Sequence, residues 1–342
     1  MPVRALLAIV VLCACACTST VPSTSPSPSP AASPTPSPTP SPVATLPCKM
    51  PATVGIAGGG YIAKLGWITL PSGAITVDTT NEIDGSNEPV GIIWATNHSP
   101  QRFGVGEGTY SNAAGGWLPV PPELVAPDGL HYAYLHADGT IRVSNQNGQE
   151  AIIKDPNKLT PLAFTAAGVV LTSQTVDSNG LWLLDTTTQT IAPITPVAGN
   201  NDWHEVVHGT AWGVDSPGVL GYPAPTKLLT VSTVPGSTPT VAFTAPGGDS
   251  IALIATDTQG GVMIDLTGSA PGIEYLSSSG ATSQAAAPTG TALARIGPRH
   301  HADAHGIWFI GQTGIFLFAQ GSGLQAVGPA QTIDIVPGGD CT

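Results

Sequence analysis

Three groups of residues have types and spacings that could do chemistry. The first is His204-Glu205-Val206-Val207-His208, an H-E-x-x-H pattern. On a helix, two His four apart share one face and hold one zinc ion, with the Glu as general base. Here Asn200-Asn201-Asp202 precedes the pattern and Gly209 follows it, which leaves too few residues for a stable helix. The surrounding pattern predicts a strand and turn, where residues four apart stand about 13 Å from each other. Two imidazoles so placed cannot share an ion bound at about 2 Å.

The second group is Arg299-His300-His301-Ala302-Asp303-Ala304-His305. Three His and one Asp in this span suit a divalent metal held by His301, Asp303 and His305, or an anion-binding rim. His301 or His305 could equally serve as a base. The plain alternative is a solvated loop in which His305 bonds locally at a turn. The third group is the cysteines. Cys13, Cys15 and Cys17 crowd the N-terminus, while Cys48 and Cys341 bracket everything from the end of a Ser/Pro tract to the C-terminus. The run Ala57-Gly58-Gly59-Gly60 lacks the Lys-Ser/Thr that a phosphate loop requires, and it reads as a turn.

The elements that must position these residues are strands. Only 9% of the chain is charged, and it carries 41 Gly and 34 Pro, a composition that disfavours long helices and favours strands and turns. Acidic residues outnumber basic ones 22 to 10, for a net charge of −12. That balance excludes nucleic acid as a partner and disfavours electrostatic binding to anionic lipid.

A unit recurs along the chain. Trp117 to Val143 reads as strand, Pro127-Asp128-Gly129 turn, alternating strand, Asp138-Gly139 turn and strand. Similar units follow around Ala167-Gly168, His208-Gly209, Gly248-Asp249 and His305-Gly306. Their spacing of about 40 residues is that of a four-stranded propeller blade. The chain is therefore expected to be all-β, a single β-propeller of six or seven four-stranded blades. An α/β barrel is disfavoured because no amphipathic helix separates the strands. Residues 51–116 have the least clear phasing, and the gap from 248 to 305 leaves room for an inserted loop. Trp94, Trp117, Trp182, Trp203, Trp212 and Trp308 recur near strand positions and are expected in the core between blades.

Two of the units carry a resemblance. Val125-Ala126-Pro127-Asp128-Gly129-Leu130-His131-Tyr132-Ala133-Tyr134 resembles the S-P-D-G-x-x-x-A-Y repeat of TolB-like propellers, with Ala126 replacing Ser. Asp303-Ala304-His305-Gly306-Ile307-Trp308-Phe309 through Phe318 is similar to the repeat of sensor-kinase and streptogramin-lyase-type propellers. The lyase likeness implies a His base and a divalent cation, and so an enzyme that uses His301 or His305.

The N-terminus resembles a bacterial lipoprotein signal. Arg4, the apolar run Ala5 to Leu12 and the small residues after it form an export signal too short to span a bilayer. In Leu12-Cys13-Ala14-Cys15-Ala16-Cys17, Cys15 has Leu three residues before it and Ala just before it, the lipobox pattern; Cys17 fits less well but leaves no extra thiol. The lipidated residue is thus Cys15, with Cys17 as the alternative. Residues 1–17 form the signal and lipobox, 18–47 a disordered Ser/Thr/Pro tether with a reach of roughly 90 Å, and 48–342 the propeller. Export permits a Cys48–Cys341 disulfide, which would join the two ends of the ring. The expected function is a lipid-anchored, extracytoplasmic binding or scaffolding module at the cell envelope. Its ligand would be a protein, peptidoglycan, a carbohydrate or a small molecule, and no cofactor is called for. The alternative is a propeller lyase or hydrolase.

Overall fold

The computed structural model describes residues 46–55, 62–84, 108–136, 138–155, 158–173, 180–195, 201–215, 224–285, 287, 300–311 and 313–342. The lipobox with Cys15 and Cys17, nearly all of the tether, Ala57–Gly60, Trp94 and Arg299 lie outside the described residues.

The architecture is a six-bladed β-propeller. Blade 1 contains β1 (Cys48–Gly55), β2 (Ile62–Leu70) and β3 (Ala74–Asp84). A small hairpin follows, β4 (Thr109–Ser111) with β5 (Gly116–Leu118). Blade 2 holds β6 (His131–Leu135), β7 (Ile141–Asn145) and β8 (Glu150–Ile153). Blade 3 is β9 (Leu159–Thr165), β10 (Gly168–Ser173), β11 (Leu181–Asp185) and β12 (Thr190–Pro193). Blade 4 is β13 (Asn201–Val207), β14 (Thr210–Asp215), β15 (Lys227–Ser232) and β16 (Thr240–Thr244). Blade 5 is β17 (Ser250–Thr256), β18 (Val262–Thr267), β19 (Gly272–Leu276) and β20 (Thr282–Gln284). Blade 6 is β21 (His300–Asp303), β22 (Gly306–Gly311), β23 (Gly314–Ala319) and β24 (Gly323–Gly328). The last strand, β25 (Ile335–Pro337), returns to pair with β1. Among the described residues, the weakly phased stretch after residue 51 forms one blade and a separate hairpin.

Each blade is an antiparallel sheet whose two faces are both covered. Successive residues of β22 point opposite ways: Ile307 and Phe309 pack against Met263, Ile273 and Tyr275 of blade 5, while Trp308 and Ile310 pack against Met50, Ala52 and Ile68 of blade 1. The same alternation sends Val169 and Leu171 toward blade 2 and Val170 toward blade 4. This is why these strands read as unbroken apolar runs. Trp182, Trp203, Trp212 and Trp308 are buried between blades as expected. Trp117 differs: it sits half-buried in a trio with Trp67 and Tyr110, where the hairpin meets blade 1.

Glycine opens the second strand of two blades for a steric reason. Gly168 and Gly306 have φ of +133° and +137°, and a Cβ on either would strike the backbone carbonyl of the adjoining strand, at Leu184 and Phe318 respectively. Blade 2 departs from the pattern at its inner edge. Pro121 and Pro122 cannot donate to a ladder, so the chain takes a short 3-10 turn over Pro122–Leu124 in place of a strand. One bridge, Val125 to Tyr132, attaches it to the blade.

Closure is built from both ends of the chain. β25 forms the inner strand of blade 1, and beyond it Lys49 and Thr342 exchange backbone hydrogen bonds. Cys48 and Cys341 are disulfide-bonded, with Cα atoms 5.5 Å apart across 293 residues of sequence. A cross-link closing so long a loop stabilises by about 5 kcal/mol on the chain-entropy account. The variant Cys48→Ser/Cys341→Ser should therefore melt roughly 10 °C below the parent by calorimetry; an unchanged melt removes the latch role. Gly306→Ala should cost about 1–3 kcal/mol from backbone strain alone, with the carbonyl clash added. Gly139→Ala, at φ +80° with open space around it, should cost less in the same denaturant titration.

Candidate functional site

The inner edges of all six blades face a central channel of about 630 Å³. Much of its wall is apolar: Pro161 and Leu162 from blade 3, Ile251 and Ala252 from blade 5, and Val336 and Pro337 from blade 1. Polar side chains come mainly from four places, one of them the end of β17, which supplies Thr256, Asp257 and Thr258. The 3-10 turn of blade 2 supplies Glu123; β13 supplies Asp202, His204 and Glu205; β21 supplies His300 and His301. Among the described residues, no Lys or Arg lines the channel.

The inner strands of blades 3, 4 and 5 each hold one extra residue at the same place. Pro161 pairs with Leu171 and Ala163 with Val170, so Leu162 is bulged. Trp203 pairs with Gly213 and Glu205 with Trp212, which leaves His204 as the bulge. In blade 5 the bulge falls at Ala252. A bulge bends its strand and re-aims the side chains around it. In blade 4 it lets Trp203 stay fully buried between blades while both His204 and Glu205 border the channel. The H-E-x-x-H segment is therefore strand and turn, with His208 beyond it at φ +47°.

Glu205 is the centre of the polar group. Its Oε1 stands 3.0 Å from His300 Nε2, joining blades 4 and 6, and its Oε2 accepts from Thr256 Oγ1 of blade 5 at 3.4 Å. His204 lies 3.3 Å from Asp202 on the same strand. Across the channel, Glu123 makes its only hydrogen bond with its own backbone N–H, among the described residues. Its carboxyl is raised to about 7, first because the surrounding protein strips away bulk water, then because the Glu205 charge repels its own; the nearby His300 partly offsets this. Glu123 is nevertheless open to solvent inside the channel, so screening keeps the consequence for stability well below that of a sealed carboxyl.

The residues singled out in sequence lie next to this group but have separate partners. His301 lines the channel, and its Nε2 is 2.9 Å from Asp340 Oδ1 in the C-terminal tail. That hydrogen bond is the main reason the Asp340 carboxyl sits below its ordinary value. Asp303 is buried and caps the turn after β21: Oδ1 accepts from the His305 backbone N–H at 2.7 Å, and Oδ2 from the Cys341 N–H at 2.9 Å. His305 Nδ1 lies 3.3 Å from the same carboxylate. His301 and His305 thus turn to different carboxylates. Among the described residues, no group of three or more His, Cys, Asp or Glu is placed to hold a metal ion.

Sequence reasoning did not reach Glu123, met His300 only as a member of the His300–His305 cluster with no role of its own, and met Glu205 only inside the zinc pattern. The available signal was positional. Glu123 follows two prolines at the inner edge of a blade, where the next blade carries the apolar Pro161 and Leu162.

No protein family and no curated protein matches the sequence. Among solved structures, a putative 6-phosphogluconolactonase from Bacteroides uniformis is similar at 11% identity over 85% of this chain and 97% of that one, with a TM-score of 0.46. A catalytically inactive virginiamycin B lyase from Staphylococcus aureus, solved with quinupristin, has 15% identity over 78% and 94% of the two chains, with a TM-score of 0.42. These neighbours are β-propeller proteins.

The raised Glu123 carboxyl has a direct consequence for stability. Its value is 4.5 in the unfolded chain and about 7 in the folded one, so the folded state holds the proton more tightly. Stability then falls as pH rises through that window. Glu123→Gln should remove this loss, so the Tm gained over the parent should be larger at pH 8 than at pH 5. Parallel melting profiles for the two proteins across that range would rule out the assignment.

Proposed function

We propose that the chain is an exported, lipid-anchored propeller that binds a small-molecule ligand in its central channel. The observation that carries this reading is the convergence of Glu123, Glu205 and His300 from blades 2, 4 and 6 on one cavity of about 630 Å³. Pockets of this volume, mostly apolar with a few convergent polar groups, are what small-ligand sites have in common. Apolar walls desolvate the ligand, and the polar trio orients it. The Cys48–Cys341 disulfide supports an oxidising compartment, as does the N-terminal lipobox. In this reading Cys15, or Cys17 as its alternative, carries the lipid, and the tether lifts the propeller from the membrane. Among the described residues, no helix is long and apolar enough to cross a membrane.

A second reading has one observation in its favour. A carboxyl raised to about 7 beside a His–Glu pair is suited to moving protons near neutral pH, so the same trio could serve a lyase or hydrolase. The base would then be Glu123 or His300, in the channel wall.

Ala252 faces the channel from a bulge, which makes it the place for a plug. A compound library screened by thermal shift should give hits with the parent protein that vanish in Ala252→Trp, with the variant's own far-UV spectrum unchanged. Hits that survive the plug would locate binding elsewhere and refute the channel reading.

A further inference from the structure

Glu123 borders the channel with no hydrogen bond or ion pair from another side chain, among the described residues; the Glu205 charge repels its own, and His300 offsets this only in part. From β13 it is faced by Asp202, His204 and Glu205, from β21 by His300 and His301, and from the end of β17 by Asp257. Blades 1 and 3 contribute no titratable group to the described lining. Three of these carboxylates are already matched. Glu205 is held by His300 and Thr256, and Asp202 lies beside His204. Asp257 accepts from Tyr275 Oη at 2.6 Å and from the backbone N–H groups of Gln259 and Gly261. The one acidic group left over is Glu123. A channel carboxylate that no side chain pairs and that a neighbouring carboxylate repels is stabilised by a proton or by a positive charge.

We infer that the channel ligand is a small organic cation, an amine or quaternary ammonium compound, which binds against Glu123 by displacing its proton. This rests on the channel being the binding site. Ligand and proton compete for one carboxylate. The ligand N⁺ takes the position of the Glu123 proton, that proton passes to solvent, and the net charge in the channel is conserved. Glu205 stays with His300 and Thr256. The apolar residues Leu162, Ile251 and Val336 cover the ligand's hydrocarbon portion.

Linked equilibria give the exchange a definite signature. Below the value at which Glu123 ionises, each bound cation must expel about one proton; well above it, none is released. Affinity should therefore rise about tenfold between pH 6 and pH 8. The probes are tetramethylammonium, choline and cadaverine, with malonate and glucose as anionic and neutral counterparts, measured by titration calorimetry in buffers of different ionisation enthalpy. The expected result is binding of at least one cation, with proton release at pH 6 that disappears at pH 8. In Glu123→Gln that cation should bind with a flat pH profile, and in Ala252→Trp it should not bind.

Two other outcomes overturn the inference in distinguishable ways. If malonate or glucose binds, is blocked by Ala252→Trp, and no cation binds, the ligand class is wrong while the channel reading survives. If a cation binds equally well to parent, Glu123→Gln and Ala252→Trp, both the class and the channel reading fall. No cation binding at millimolar concentration, in protein shown to be folded by its melting transition, also overturns the inference.

Discussion

The rest of the structure depends on one constraint: every blade is a sheet with two apolar faces, and neither can be left to water. A sheet covered on one side only would expose the other, and a row of such sheets has two bare ends. Curving the row into a ring removes the ends. The core clusters follow that geometry, since those of blades 2 to 6 and of the blade 6–blade 1 seam each join two adjacent blades. Between blades 1 and 2 the β4–β5 hairpin intervenes. Leu118 packs with Leu124, Tyr132 and Tyr134 on one side, and Trp117 meets Trp67 on the other.

Closing the ring leaves a hole, and the hole has a different chemistry. Side chains along the inner strands border the channel from strand edges, which no neighbouring blade covers. Apolar and polar residues both line the channel, and the polar ones are tolerated because water reaches them. The bulges at Leu162, His204 and Ala252 show a shared backbone device with different side chains on it. In blades 3 and 5 it delivers an apolar residue. In blade 4 alone it delivers His204 and then Glu205, so the site is a local change of sequence on a repeated scaffold.

The fold was legible because its constraint is periodic. Apolar runs bounded by Asp-Gly and Gly turns recur about every 40 residues, and the Gly at 168 and 306 stands where a Cβ would meet a carbonyl. The site was much less legible, because it is assembled across the ring. Glu123, Glu205 and His300 are far apart in sequence, and nothing in local pattern says which positions of a blade face the channel. The H-E-x-x-H pattern drew notice through a chemistry its backbone cannot support, yet its Glu205 is central for another reason. His301, Asp303 and His305 drew notice by crowding. His301 and Asp303, two apart on β21, share one face of the strand, and both are taken up by the C-terminal tail, at Asp340 and at the Cys341 amide, while Asp303 also caps its own turn.

That tail joins the ring's closure to its channel. β25 completes blade 1, and the five residues after it run along β1 to the disulfide. On the way, Asp340 meets His301 and the Cys341 amide meets Asp303, so both ends of β21 are tied to the segment that carries the latch. β21 also holds His300, the partner of Glu205. The strand that presents the imidazole to the channel is thus positioned by the same residues that seal the ring. A loose closure would do more than lower stability: it would free the blade 6 edge from which His300 reaches across to blade 4. The polar trio has a fixed geometry only in a closed ring, which gives the disulfide a part in the site although neither sulfur faces the channel.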